Sequence, residues 1–168
     1  MAGALQDLGF TARVNDRRPS RTGSDVEVDV WAERPVGDMK FTVYASCKNW
    51  NRDVDRPVID EELGRVLNLR EMPHLRVLVV RSMGAPAKEV ARADGFLVIE
   101  LGDAVDETNA ARAREMIRSK LRGIFVGIAP PELRRLAEMV EDASRVLSNI
   151  AGDLRSLAEG ARFGADIA

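Results

Sequence analysis

The chain of 168 residues holds one cysteine, one histidine and one tyrosine, and aromatic residues make up only 5% of it. A single cysteine, Cys47, excludes an intrachain disulfide and fits a reducing compartment, so a cytoplasmic protein is expected. His74 lies far from that cysteine in sequence, which argues against a zinc site built from nitrogen and sulfur ligands. No apolar run approaches the ~20 residues that cross a bilayer. The opening Met1-Ala2-Gly3-Ala4-Leu5-Gln6-Asp7 has neither a basic segment nor an apolar core of the secretory type, so no membrane or signal element is expected. Charge of one sign is also missing: 25 Lys and Arg stand against 27 Asp and Glu, which excludes a surface uniformly coated for nucleic acid. Gly84 lacks the glycine-rich neighbours of a phosphate loop, so nucleotide binding has little support. What remains is an ordinary globular composition, 45% apolar and 31% charged, long enough for one cored domain with an appendage.

Two segments stand out. Gly23-Ser24-Asp25-Val26-Glu27-Val28-Asp29-Val30-Trp31-Ala32 and Phe41-Thr42-Val43-Tyr44-Ala45-Ser46-Cys47-Lys48-Asn49-Trp50 each alternate apolar and polar residues with period two, as half-buried strands do. Arg34-Pro35-Val36-Gly37-Asp38 supplies turn chemistry between them, predicting a hairpin. Strict alternation turns Glu27, Asp29 and Trp31 to one face and Val26, Val28 and Val30 to the core, with Thr42, Tyr44, Ser46 and Lys48 sharing a face of the second strand. Carboxylates and a lysine at the ends of paired strands suit a divalent cation held beside a positive charge. The same residues also read as a solvated cross-strand ion pair worth ~0.2–1 kcal/mol.

Around this pair the chain reads as a regular α/β domain. A short helix over Ala2–Leu8 stops at Gly9, and a strand follows over Phe10–Val14. Arg13, Arg17, Arg18 and Arg21 crowd the segment before Asp25, expected as a loop; with Lys48 and Arg52 opposite, they read either as a basic rim for a phosphate backbone or as solvated arginines. A helix opens at Pro57 and runs to about Arg70. Leu75–Val80 is a buried, parallel-type strand, Ala85–Ala93 a helix, Phe96–Leu101 a strand and Asp106–Leu121 a helix, an order that implies right-handed crossovers on a mixed sheet. Gly123–Ile128 reads as a short apolar link or a further strand, and Ala129-Pro130-Pro131 as a break, which divides the chain into a domain over 1–128 and a helical extension over 129–168.

In that extension Leu133, Leu136, Val140, Ala143, Leu147, Ile150, Leu154, Leu157 and Ala161 step by three and four, the spacing of a coiled-coil seam. Gly152 and Gly160 interrupt the pattern, each weakening a helix by ~1 kcal/mol relative to alanine. Such a stripe needs cover, from a second copy in a homodimer, from the domain itself or from another protein. Phe163–Ala168 is expected to fray.

Glu27 and Asp29 in the first segment and Cys47-Lys48-Asn49-Trp50 in the second resemble the core motif of the PD-(D/E)XK nuclease superfamily, nearest its Mrr-like restriction endonucleases and archaeal Holliday-junction resolvases. Val79-Val80-Arg81-Ser82-Met83-Gly84 is similar to a later segment of those proteins, so the resemblance spans roughly residues 2–101. It implies a restriction-endonuclease-like mixed β-sheet flanked by helices and an Mg²⁺- or Mn²⁺-dependent endonuclease acting on duplex or branched DNA. In this frame Asp29 is a direct metal ligand, Lys48 stabilises charge at the scissile phosphate, and the Cys47 carbonyl completes the coordination. Arg13, Arg17, Arg18, Arg21, Asn49 and Arg52 are then the nucleic-acid contacts. The family's second acid falls at Ser46, a neutral hydroxyl and a poor ligand for a hard cation. Its substitute is Glu27 on the same face, or Asp60, Glu61 or Glu62 on the next helix, since that acid migrates in some members. The glutamate that relatives carry on a longer first helix is missing as well, with Gln6 and Asp7 the nearby polar residues. Loss of both leads to the competing expectation, a non-cleaving homologue kept for DNA binding or assembly. Cys47 itself reads as a small buried residue, since no histidine lies near it in sequence to activate it as a nucleophile.

Overall fold

A computed structural model describes residues 1–127 and 131–165. Five strands, β1 (Thr11–Pro19), β2 (Asp25–Val36), β3 (Met39–Lys48), β4 (Leu75–Val80) and β5 (Phe96–Glu100), form one sheet in sequence order. β1, β2 and β3 are antiparallel neighbours, whereas β4 and β5 run parallel to β3. Parallel neighbours need crossovers, supplied by α2 (Arg56–Asn68) and α3 (Ala85–Ala93). Crossovers of one hand place both helices on one face of the sheet. There Val58, Ile59 and Val66 of α2 and Ala87 and Ala91 of α3 bury against Trp31, Tyr44, Leu78 and Val80. α1 (Ala2–Gln6) and α4 (Ala110–Gly127) complete the domain, and Arg114 of α4 ties them together by pairing with Asp7 at 2.6 Å. This is the expected restriction-endonuclease-like mixed sheet flanked by helices.

Several boundaries differ from the sequence reading, each for a local reason. The hairpin turn contracts to Gly37–Asp38, so Arg34, Pro35 and Val36 belong to β2. Gly37 sits at φ +58, the left-handed value that a two-residue hairpin loop with glycine first demands. Arg13 lies on the expected strand, and β1 continues to Pro19, which places Arg17 and Arg18 on it as well rather than in a loop. α4 begins at Ala110, because the Asp106 side chain accepts bonds from the backbone N–H of Thr108 and Asn109 and holds the preceding segment in a turn. It then runs through Gly123–Gly127, where a link or strand was expected; a short apolar run has the same composition in either state. Ile128, Ala129 and Pro130 lie outside the described residues.

Regular alternation fails at one point of β2. Val28 and Trp31, three residues apart, belong to the same buried cluster, so the strand changes face between them. Opposite this point the β1–β2 ladder pairs Val14 with Val30 and Asp16 with Val28 but makes no pair at Asn15. Asn15 has φ +49, a left-handed conformation that asparagine tolerates better than most residues. Trp31, expected on the solvated face, is 1% exposed as a result.

Contacts divide the chain into two compact units, Met1–Arg122 and Gly123–Ala168. The second is dominated by α5 (Pro131–Ala165), 35 residues long and therefore about 52 Å at 1.5 Å per residue. α5 passes through Gly152 and Gly160 without a break and includes Phe163–Ala165. Asp166–Ala168 lie outside the described residues. Leu136, Val140, Leu147, Ile150 and Leu154 of the expected seam are all exposed, together with Met139 and Val146 beside them.

Candidate active site

The site forms where β2 and β3 part. Their ladder ends at Val30–Ala45, while β3 continues beside β4 through Lys48. From Ala45 onward the edge of β3 that faced β2 needs new hydrogen-bond partners. Asp29 supplies one: its Oδ2 accepts the Cys47 backbone N–H at 2.7 Å and the Ser46 hydroxyl at 3.2 Å. The carboxylate is thereby fixed at the mouth of the fork, half-buried.

On the α2 side of β3, Tyr44, Ser46 and Lys48 alternate along one face. Glu62 descends on them from α2 and is 1% exposed. Lys48 Nζ lies 2.8 Å from Glu62 Oε1 and 4.0 Å from Asp29 Oδ2, so the ammonium stands between the two carboxylates. The Tyr44 hydroxyl donates to Glu62 Oε2 at 2.5 Å, and Arg65 of α2 approaches Oε1 at 3.7 Å. Burial, reinforced by the adjacent Glu62 charge, pushes the Tyr44 hydroxyl far above its ordinary range, so it remains a proton donor. On the opposite face, burial pushes the Cys47 thiol up to about 11, which leaves it protonated and unreactive near neutral pH.

Of the three acids that the sequence left open on the helix, the structure brings Glu62 to the site. Asp60 and Glu61 face solvent and pair along α2 with Arg56 and Arg65. The signal was present in the spacing: Ile59, Glu62 and Val66 step by three and four, which puts a carboxylate in the buried stripe of the helix. Glu27 is exposed and shares with Asp25, Val26, Asp29 and Arg65 an open depression of about 460 Å³. No group of three or more His, Cys, Asp or Glu side chains with metal-binding geometry occurs among the described residues. Two carboxylates still suit Mg²⁺, which keeps several waters and substrate oxygens in its shell.

A restriction endonuclease family model, Mrr_cat, matches residues 1–106. The chain belongs to that family. No curated protein sequence matches it. A crystal structure of a protein of unknown function, AF1548, is similar over 58% of this chain and 52% of its own, with 18% identity and a TM-score of 0.47. The match thus spans about half of that protein.

Within this restriction-endonuclease domain the basic residues divide sharply. Arg18 pairs with Glu71 at 3.0 Å and Asp16 at 3.5 Å, and lies 4.4 Å from the ring centre of Trp31, so it is engaged inside the fold. Arg21 donates from Nε to the Leu69 carbonyl. Asn49 exchanges two bonds with the Val105 backbone, at 2.8 and 2.7 Å. Arg13 and Arg17 are exposed on β1. Arg52 is exposed beside the site strand, 5.0 Å from the Trp50 ring centre, with Lys48 5.9 Å from the same ring. Asp7, engaged by Arg114, lies outside the site, and its carboxyl is held below the usual range by that hydrogen bond. His74 is structural: its Nδ1 accepts the Thr42 backbone N–H and its ring stacks on Phe41.

Proposed function

We propose that this nuclease-family domain is an Mg²⁺- or Mn²⁺-dependent DNA endonuclease in which Glu62 takes the place of the acid missing at Ser46. The observation that carries this reading is the position of Lys48 between Asp29 and the buried Glu62. Tyr44 and Lys48 flank Ser46 on one strand face and both reach Glu62, so the carboxylate absent from position 46 is delivered to the same neighbourhood from α2. An ammonium between two carboxylates marks a place that accepts positive charge.

Asp29, Glu62 and the Cys47 carbonyl form an all-oxygen donor set, the chemistry that hard cations select. A divalent ion held by these residues would supply polarisation of a phosphate oxygen and acidification of water. Lys48 stabilises the negative charge that develops on the phosphate and orients the attacking water. Asp29 keeps its orientation through its bonds to Ser46 and Cys47. Glu27 stands on the rim of the depression beside Asp29 as an additional carboxylate. Exposed Arg13, Arg17 and Arg52 face a DNA backbone, whereas Arg18, Arg21 and Asn49 act from within the fold. The test is cleavage of plasmid, linear and four-way-junction DNA with Mg²⁺ or Mn²⁺. Asp29→Ala and Lys48→Ala are each expected to lower cutting by on the order of 10²–10³. A folded wild type that cuts nothing under either metal, yet retains DNA, establishes instead the non-cleaving homologue that Ser46 suggests.

The exposed apolar stripe of α5 supports pairing of two copies through this helix. A homodimer supplies two sites for two strands, or for opposite arms of a branched substrate. Leu147→Asp with Ile150→Asp is expected to convert a dimer to a monomer in light scattering while the domain's unfolding midpoint stays unchanged.

A further inference from the structure

The only tyrosine of the chain is 1% exposed, and its hydroxyl is directed at the one buried carboxylate among the described residues. We propose that Tyr44 is a positioning residue that holds Glu62 in metal-binding orientation, taking its inner oxygen Oε2 and leaving Oε1 to the site. This inference rests on the reading of Glu62 as a metal ligand.

The geometry separates the two oxygens of one carboxylate. Oε2 accepts from Tyr44 at 2.5 Å, while Oε1 faces Lys48 at 2.8 Å and Arg65 at 3.7 Å. Tyr44 and Lys48 lie four residues apart on β3, roughly 13 Å along the strand at 3.3 Å per residue. They converge on Glu62 from the two sides of Ser46 and fix the carboxylate plane at both ends. A glutamate on a helix has three side-chain torsions to restrain, and a buried carboxylate oxygen without a donor is costly. A strand-borne acid at position 46 would be held by its own backbone; a helix-borne acid needs a neighbour to aim it. Tyr44 meets that need from the strand that carries Lys48, so the two groups stay in register. Phenylalanine at this position would fill the same space among Trp31, Leu78 and Val80 but supply no donor.

The experiment compares wild type, Tyr44→Phe and Glu62→Gln by calorimetric titration with Mn²⁺ alone, by thermal unfolding, and by plasmid cleavage across Mn²⁺ concentrations. Tyr44→Phe is expected to weaken Mn²⁺ binding roughly 10–100-fold, as loss of an outer-shell partner does. It should shift the Mn²⁺ dependence of cleavage by the same factor while recovering most of the wild-type rate at saturating metal. A crystal structure of the variant should show Glu62 in an altered rotamer. Wild-type Mn²⁺ affinity in a folded Tyr44→Phe overturns the proposal and leaves Tyr44 a core residue. Loss of cleavage in Tyr44→Phe at every metal concentration alike, with unaltered Mn²⁺ affinity, overturns it too. Glu62→Gln that binds Mn²⁺ as wild type does removes the underlying reading, and the positioning role with it.

Discussion

The two faces of strand β3 have been put to opposite uses. Away from α2 it presents Val43 and Ala45, which are buried, as are Val30, Ala32, Val77, Val79 and Ile99 of the sheet and Leu5, Ala113, Ile117 and Leu121 of α1 and α4. Toward α2 it presents Thr42, Tyr44, Ser46 and Lys48, three of them as deeply buried as any core residue yet all polar at the tip. Burial therefore does not separate the stabilising face from the chemical one. What separates them is partnership. The apolar face gains from exclusion of water, in proportion to area. On the α2 face each polar group has a stated partner, Thr42 with His74, Tyr44 with Glu62, Ser46 with Asp29, Lys48 with Glu62. No buried side-chain polar atom lacks a partner among the described residues. One strand thus carries both a core and a candidate site because alternation keeps them a strand's thickness apart.

The comparison is broken most severely by Glu62→Gln. The substitution preserves shape and a Tyr44 contact but removes the charge, so cleavage is expected to fall by about a thousandfold, at the upper end of what a single electrostatic group contributes. The unfolding free energy should change by less than the ~3–5 kcal/mol of a broken buried pair, since Asp29 at 4.0 Å still faces the Lys48 ammonium and the glutamine amide hydrogen-bonds in place. Measuring both on one preparation separates chemistry from stability. The converse substitution, Ile117→Ala on the other face, should cost about 2–5 kcal/mol in denaturant unfolding and leave cleavage per folded molecule unaltered.

A smaller effect sharpens the contrast through Cys47, which belongs to the apolar side. Its thiol is raised from 9.0 to about 11, chiefly by burial. A raised acid pKa means that the folded state keeps a proton which the unfolded chain gives up. The contribution is intact below pH 9 and declines as pH rises toward 11. Stability is expected to fall over that window in wild type and less in Cys47→Ala. Iodoacetamide at pH 8 should label the denatured protein and spare the native one. The thiol is half-buried rather than buried as the sequence suggested, so rapid labelling of native protein would show that it ionises more readily than its raised pKa implies.

The parts legible in the sequence were those written in periodicity. β2, β3, β4 and β5, and the two crossover helices between them, follow from alternation, β-branched runs and the prolines that open α2 and α3. Asp29 and Lys48 were legible because a motif holds them at fixed offsets on paired strands. Two things were not legible and a third was legible only in part, each for a physical reason. The extension of β1 through Arg17 and Arg18 was masked by charge: arginines read as loop until the partners of Arg18, Asp16 nearby and Glu71 distant in sequence, are known. The face change in β2 depends on Asn15, on a different strand, and violates the alternation used to assign faces. Glu62 was one of three consecutive-looking acids in Asp60-Glu61-Glu62, and only the helical phase set by Ile59 and Val66 distinguishes it. That last signal was available; the other two required the tertiary fold.

Asn49 closes the strand that carries the site by bonding, through both atoms of its amide, to the N–H and C=O of Val105, 56 residues later. The side chain behaves as a borrowed peptide group and extends the sheet's hydrogen bonding by one unit without extending its backbone. Because only main-chain atoms are read at the far end, position 105 can drift through nearly the whole amino-acid alphabet, proline excepted, with no loss of the clasp. Position 49 has almost no such freedom. Mutational tolerance at this junction is therefore one-sided, and a library that randomises the two positions together should return many solutions at 105 and essentially one at 49.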